Sequence, residues 1–120
     1  MAWDFNHREA MFLQIADRMR LEILNGVYAP DQQIPSVRQL AYEASVNPNT
    51  MQKALSILEE EGLLHARGTV GRFVTSDAAV LNAAGNRMRR ETVRSWLIEA
   101  KALGISKEEL IQFIKEDDDL

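Results

Sequence analysis

The stretch that most constrains this chain is Asn47-Pro48-Asn49-Thr50. Proline lacks an N–H and has a fixed φ, so a helix accepts it at the first position and rejects it further in. An asparagine just before it caps the exposed N–H groups of the first turn. A helix therefore starts here, and Gly62 stops it. Between the two, Met51, Ala54, Leu55 and Leu58 fall on one face, which predicts a buried side. The opening turns carry Asn49, Thr50, Gln52 and Lys53, which hydrogen-bond readily and do not belong in a core.

A second helix is expected just upstream. Pro35-Ser36 starts it, Ser36 caps it, and Gln39 three residues on predicts a closed capping box. Val37, Leu40 and Ala41 face inward, the helix ends near Ala44-Ser45, and Val46 plugs the turn. An earlier helix, from about Glu9 to Asn25, repeats apolar residues at Met11, Phe12, Ile15, Met19, Ile23 and Leu24. Gly26 and Pro30 keep the following loop out of helix. Residues 1–8 form a polar arm whose Trp3 and Phe5 are expected to pack on the first helix or on a partner chain.

After Gly62 the period changes. Leu64-His65-Ala66 and Arg72-Phe73-Val74 read as short strands around the turn Arg67-Gly68-Thr69-Val70-Gly71, with Arg67 at its tip. The predicted fold is mainly α with a small β-hairpin. It comprises a winged helix-turn-helix domain over residues 1–75 and two C-terminal helices over residues 76–120. The first of these two helices, from about Ala78 to Leu103, carries an apolar seam of Leu81, Ala84, Met88, Trp96, Ala100 and Leu103. Leu81, Met88, Trp96 and Leu103 are the residues expected to dimerise the chain, because an unpaired seam would stay in water. Gly104 ends that helix, and Ser106 with Glu109 forms a second capping box for the last one.

In a helix-turn-helix the start of the second helix meets base edges while the first lies across the backbone. Asn47, Asn49, Thr50 and Gln52 are types that bond bases or phosphates without charge, Lys53 neutralises a phosphate, and Arg38 reaches a phosphate or a guanine. An arginine on a thin hairpin suits a narrow minor groove. Charge pulls the other way. Residues 1–75 hold 7 Lys and Arg against 9 Asp and Glu, and residues 76–120 hold the same, for a net −4. Placement then matters more than the sum, because distant acids are screened beyond about 8 Å at physiological salt. The rival expectation is a winged-helix protein-interaction module that does not bind DNA.

Other classes find little support. With His7 and His65 the only histidines and no cysteine, neither a catalytic set nor a metal site is expected, and no glycine-rich loop suggests a phosphate cofactor. Glu59-Glu60-Glu61 and Asp117-Asp118-Asp119 read as solvated faces. There is no apolar run of about 18 residues and no signal peptide. Together with the absence of cysteine, this fits a cytoplasmic location.

The order of segments sharpens the expectation. Leu13-Gln14-Ile15-Ala16-Asp17, Ile23 to Pro30, Ile34 to Ala41, Val46 to Leu55 and Leu58 to Leu64 together resemble the winged helix-turn-helix domain of the GntR family of bacterial transcription regulators, over residues 9–75. The Asn-Pro-Asn-Thr variant and the short C-terminal region resemble its YtrA-like subfamily, whose members dimerise through two helices. The resemblance implies a homodimeric, sequence-specific DNA-binding regulator, a repressor on a palindromic operator. It implies DNA contacts at Ser36 and Arg38, at Asn47, Asn49, Thr50, Gln52 and Lys53, and at the wing tip Arg67-Gly68-Thr69. No cofactor is implied. A small-molecule effector at Trp96 and Met88 stays open but is not evident, and dimer core is the favoured reading of those residues. Two departures stand out. Asp31-Gln32-Gln33 replaces a loop in which the family usually has glycine after Pro30, and Gly71-Arg72-Phe73 replaces Gly-Thr-Phe. Arg72 is then either a phosphate contact or a solvated side chain.

Overall fold

A computed structural model describes residues 3–119. Its elements in chain order are α1 (Met11–Leu24), α2 (Val37–Ala44), α3 (Pro48–Glu60), β1 (Leu64–Arg67), β2 (Gly71–Val74), α4 (Ala78–Ala102) and α5 (Lys107–Glu116). The chain divides into two compact units, one ending at Ala83 and one beginning at Ala84.

In the first unit the predicted apolar faces close on each other. Ile15, Ala16, Met19 and Ile23 of α1, Leu40, Ala41 and Ala44 of α2, and Met51, Ala54, Leu55 and Leu58 of α3 are all buried, with Leu63, Leu64 and Val74 beneath the hairpin. Helix α1 begins two residues later than its periodicity suggests. The Gln14 side chain takes hold of the preceding segment, donating to the carbonyls of Asn6 and Glu9 at 2.9 and 2.8 Å and accepting from the Asn6 N–H at 3.0 Å. Residues 6–9 are thereby kept bent outside the helix. The arm lies on α1 as expected, with the Arg18 guanidinium 4.1 Å from the Trp3 ring centre.

The two strands pair antiparallel in the register Leu64↔Val74, His65↔Phe73, Ala66↔Arg72 and Arg67↔Gly71. Each strand is one residue longer than the pattern suggests, so Arg67 closes β1 instead of sitting at the turn tip. Successive strand residues point to opposite faces. Leu64 and Val74 face the core, Arg72 shares their side, and His65, Arg67 and Phe73 share the other. The loop before α2 joins in through a single bridge between Gln33 and Phe73. Backbone bonds flank it: Ile34 N–H to the Arg72 carbonyl at 3.0 Å, and Val74 N–H to the Gln32 carbonyl at 2.9 Å.

The second unit comprises the later part of α4 and α5. The turn between them is closed by the Gly104 N–H donating to the Lys101 carbonyl and the Ile105 N–H to the Ala100 carbonyl, both at 3.0 Å. The predicted capping box is formed: Ser106 Oγ accepts the Glu109 N–H, and the Glu109 carboxylate accepts the Ser106 N–H. Much of the unit's apolar surface stays in water. Trp96 is 60% exposed and Leu103 79%, with Val93, Ile98, Ile111, Phe113 and Ile114 also exposed. Leu81 and Met88 are half-buried. A hollow of about 460 Å³ is lined by Arg94, Leu97, Ile98, Ile105 and Leu110 among others, and Trp96 and Met88 are not part of that lining. Among the described residues, no helix is long and apolar enough to cross a membrane.

Candidate nucleic-acid interface

Helices α2 and α3 are joined by a turn of three residues, Ser45 to Asn47, with Ser45 in the left-handed region at φ 57°. The Val46 N–H donates back to the Ala41 carbonyl at 3.0 Å, which folds the chain sharply between the helices. Asn47 Oδ1 accepts the Asn49 N–H at 2.7 Å, and Pro48 takes the first helical position. The start of α3 is thus set by its own residues. Asn49, Gln52 and Lys53 are exposed at the three- and four-residue spacing that puts them on one face. Met51, Ala54 and Leu55 hold the opposite face in the core.

Of the ten side chains expected to meet DNA, Ser36, Arg38, Asn47, Asn49, Gln52, Lys53, Arg67, Gly68 and Thr69 are exposed, and Thr50 is half-buried. Ser36 Oγ accepts the Gln39 N–H at 3.1 Å as the α2 cap. The expected capping box is only half formed, because the Gln39 amide donates to Glu43 at 2.9 Å instead of turning back. The side chain is drawn one turn ahead by the charge-assisted bond to the carboxylate, so its oxygen does not reach back to the Ser36 N–H.

The cations of this surface are less free than their sequence positions suggest. The Arg67 guanidinium lies 3.9 Å from the centre of the Phe73 ring and is ion-paired with Asp31. Arg72 is neither solvated nor aimed outward. Sharing the inner side of β2 with Val74, it pairs with Glu59 of α3, and its Nη1 lies 3.4 Å from Gln52 Oε1. Lys53 Nζ sits 3.8 Å from the centre of the Phe12 ring on α1. Among the described residues, no acid lies within ion-pair distance of Arg38.

Two of the three glutamates expected to form a solvated face are engaged. Glu59 holds Arg72, and Glu61 accepts from Arg20 at 2.8 Å through both oxygens. Those bonds, together with one to Asp17, raise the Arg20 pKa against the opposing effect of burial. Asp17, Glu22, Asp31, Glu59 and Glu61 all have arginine partners, so these pairs cancel locally and the net negative balance is carried by the remaining acids.

Sequence reasoning missed the residues that hold the cations: Asp31, Phe73, Glu59 and Phe12. It also missed Gln33, whose Nε2 donates to the Val70 carbonyl at 2.8 Å. Gly71, at φ 141°, leaves the space that this amide occupies, since a β-carbon there would lie 2.7 Å from Gln33 Nε2. The one legible signal was Asp31-Gln32-Gln33 standing where a glycine was expected. Asp31 has φ 67°, a conformation that favours glycine.

Comparison with known proteins places this geometry. Residues 12–74 match the family described as bacterial regulatory proteins, gntR family. The HTH-type transcriptional regulator YhcF of Bacillus subtilis (strain 168) is 32% identical over 111 residues, covering 92% of each chain. The HTH-type transcriptional repressor YtrA of the same organism is 33% identical over 107 residues, covering 88% of this chain and 82% of that one. A GntR family transcriptional regulator from Listeria monocytogenes superposes with a TM-score of 0.87 at 29% identity, over 95% of this chain and all of that one. The DNA-binding domain of AraR in complex with operator ORE1 superposes with a TM-score of 0.55 at 26% identity, over 62% of this chain and 93% of that one.

Proposed function

This chain belongs to the GntR family of bacterial regulatory proteins, and from that premise we propose that it is a homodimeric repressor reading a palindromic operator with α3 and its wing. At the coarser level it is a helix-turn-helix transcription regulator that binds DNA, not an enzyme. In the finer reading residues 1–75 bind DNA and residues 76–120 pair two copies.

The observation that carries this reading is the outward stripe Asn49, Gln52 and Lys53 at the start of a helix whose other face is buried. Such a helix is rigid and presents its hydrogen-bonding groups at one end, the end that enters a major groove in helix-turn-helix proteins. Arg38 lies on the neighbouring helix, suited to a phosphate or a guanine. Asn47 has its oxygen committed to the cap and keeps its amide N–H groups for an acceptor. Ser36, Thr50, Arg67, Gly68 and Thr69 complete the proposed contact set.

Pairing is supported by the exposed apolar surface around Trp96 and Leu103. An interface of about 1,600 Å² is the usual size for a stable pair. At roughly 25 cal/mol per Å² of apolar area, such burial favours association strongly before entropy is subtracted. Two copies would set their α3 helices into successive major grooves about 34 Å apart, or at a longer spacing fixed by the dimer. Repression is supported by the likeness to YtrA, a transcriptional repressor with which this chain aligns over most of its length.

The test is a fluorescence-anisotropy titration of the full chain against the DNA upstream of its own gene and against a scrambled duplex, at several salt concentrations. The expected result is preference for the upstream DNA and a steep fall of affinity with salt, as phosphate contacts release counterions. Equal affinity for both duplexes would remove operator recognition. Retention that ignores salt would favour a protein-interaction module.

A further inference from the structure

The wing arginine is held by a carboxylate, and the loop carrying that carboxylate is itself tied to the wing. Asp31 adopts φ 67°, a left-handed backbone that glycine, asparagine and aspartate accept and most other residues avoid. Its N–H donates to the Val74 carbonyl at 2.9 Å. Two residues on, Gln33 bridges to Phe73 and its side chain donates to the Val70 carbonyl at the turn. Loop and hairpin are therefore one structure, and the Asp31 carboxylate has a defined place in it. Arg67 crosses the Phe73 ring and pairs with that carboxylate.

We propose that Asp31 is a latch on the wing: it neutralises Arg67 in the free protein and thereby sets how much the wing contributes to DNA affinity. The proposal rests on the DNA-binding reading above. A guanidinium carrying a carboxylate has no net charge to offer a phosphate, so it releases no counterion until the pair opens. Arg67 and Asp31 are 43% and 59% exposed in their side chains, so water screens the pair and it opens readily. The latch restrains the wing without blocking it. Arg72 is not its equivalent, because its side chain is only 15% exposed and its pair with Glu59 ties the hairpin to α3.

The experiment measures log K against log salt for the wild type, Asp31→Asn, Asp31→Gly, Arg67→Ala and the double variant Asp31→Asn with Arg67→Ala, on the upstream duplex. Asparagine and glycine both tolerate the left-handed backbone, so each variant removes the charge and keeps the loop. Removing Asp31 is expected to steepen the slope by about 1, the signature of one further phosphate contact. It should also tighten binding about 3–10-fold at low salt, an advantage that fades at high salt. Arg67→Ala should flatten the slope by about 1 in the Asp31→Asn background and by clearly less in the wild type, a coupling read from the double-mutant cycle. Unchanged slopes in both Asp31 variants, weaker binding in both, or equal Arg67→Ala effects in the two backgrounds overturn the latch. A wild type that binds no duplex in a salt-dependent way overturns the DNA-binding reading and the latch with it.

Discussion

Arg72 on the second strand of the wing is ion-paired with Glu59 on α3, and its Nη1 lies 3.4 Å from Gln52 Oε1. The pair is well shielded, with side-chain exposures of 15% for Arg72 and 32% for Glu59. It joins the hairpin to the helix that carries the proposed base-reading residues. Arg72→Met, which keeps the apolar stem and removes the charge, should cost about 1–2 kcal/mol in urea denaturation. The salt slope of DNA binding should stay as in the wild type. A slope flattened by about 1 would mean that Arg72 leaves Glu59 for a phosphate.

Arg38 and Asn49 give the direct test of the reading surface. Each replaced by alanine should weaken operator binding by about 1–3 kcal/mol, measured by anisotropy at fixed salt. Neither substitution should lower stability by more than about 0.5 kcal/mol, because both side chains are exposed. Unchanged affinity in both variants would move the contact surface elsewhere.

Trp96→Asp addresses the pairing of two copies. Trp96 is 60% exposed in one copy, so the aspartate should be tolerated within the chain but not against a partner. Light scattering should report a monomer, and operator binding should fall with it. A dimer that persists would place the contact away from Trp96.

Tyr28 predicts a pH dependence. Burial raises its hydroxyl pKa above 10.0, and the nearby charges of Glu22 and Glu43 add to this, opposed by Arg18. The folded state therefore disfavours the ionised form. This contribution to stability is fully present below a pH of about 10 and is lost as the pH rises through the folded-state pKa. Melting temperature measured across that range should fall more steeply for the wild type than for Tyr28→Phe. Parallel curves would show that Tyr28 ionises equally well folded and unfolded.

What the sequence made legible was local. Asn47-Pro48 and Ser106 with Glu109 announce helix starts through bonds made within three residues, and the apolar spacings of α1, α2 and α3 identified the buried faces. Gln39 shows the limit of such reasoning: its N–H takes the Ser36 cap as expected, but its side chain turns to Glu43 one turn ahead and leaves the box half closed. The destinations of the wing arginines lay further out of reach. Arg67 is 36 residues from Asp31, and Arg72 is 13 from Glu59. Which of them turns inward depends on strand alternation, and a slip of one residue in β2 would turn Arg72 to the face that Arg67 occupies. The same distance hid the pairing of Glu61 with Arg20, 41 residues away.

The bridge between Gln33 and Phe73 has a consequence for how this protein tolerates changes in length. Exposed connecting segments normally absorb inserted residues at little cost. Here one extra residue between Pro30 and Ile34 would carry Gln33 past the gap left by Gly71 and break the bonds flanking the bridge. A segment that looks like spare surface chain is thus a ruler for the wing, and its residue count is as constrained as the composition of the core beneath it.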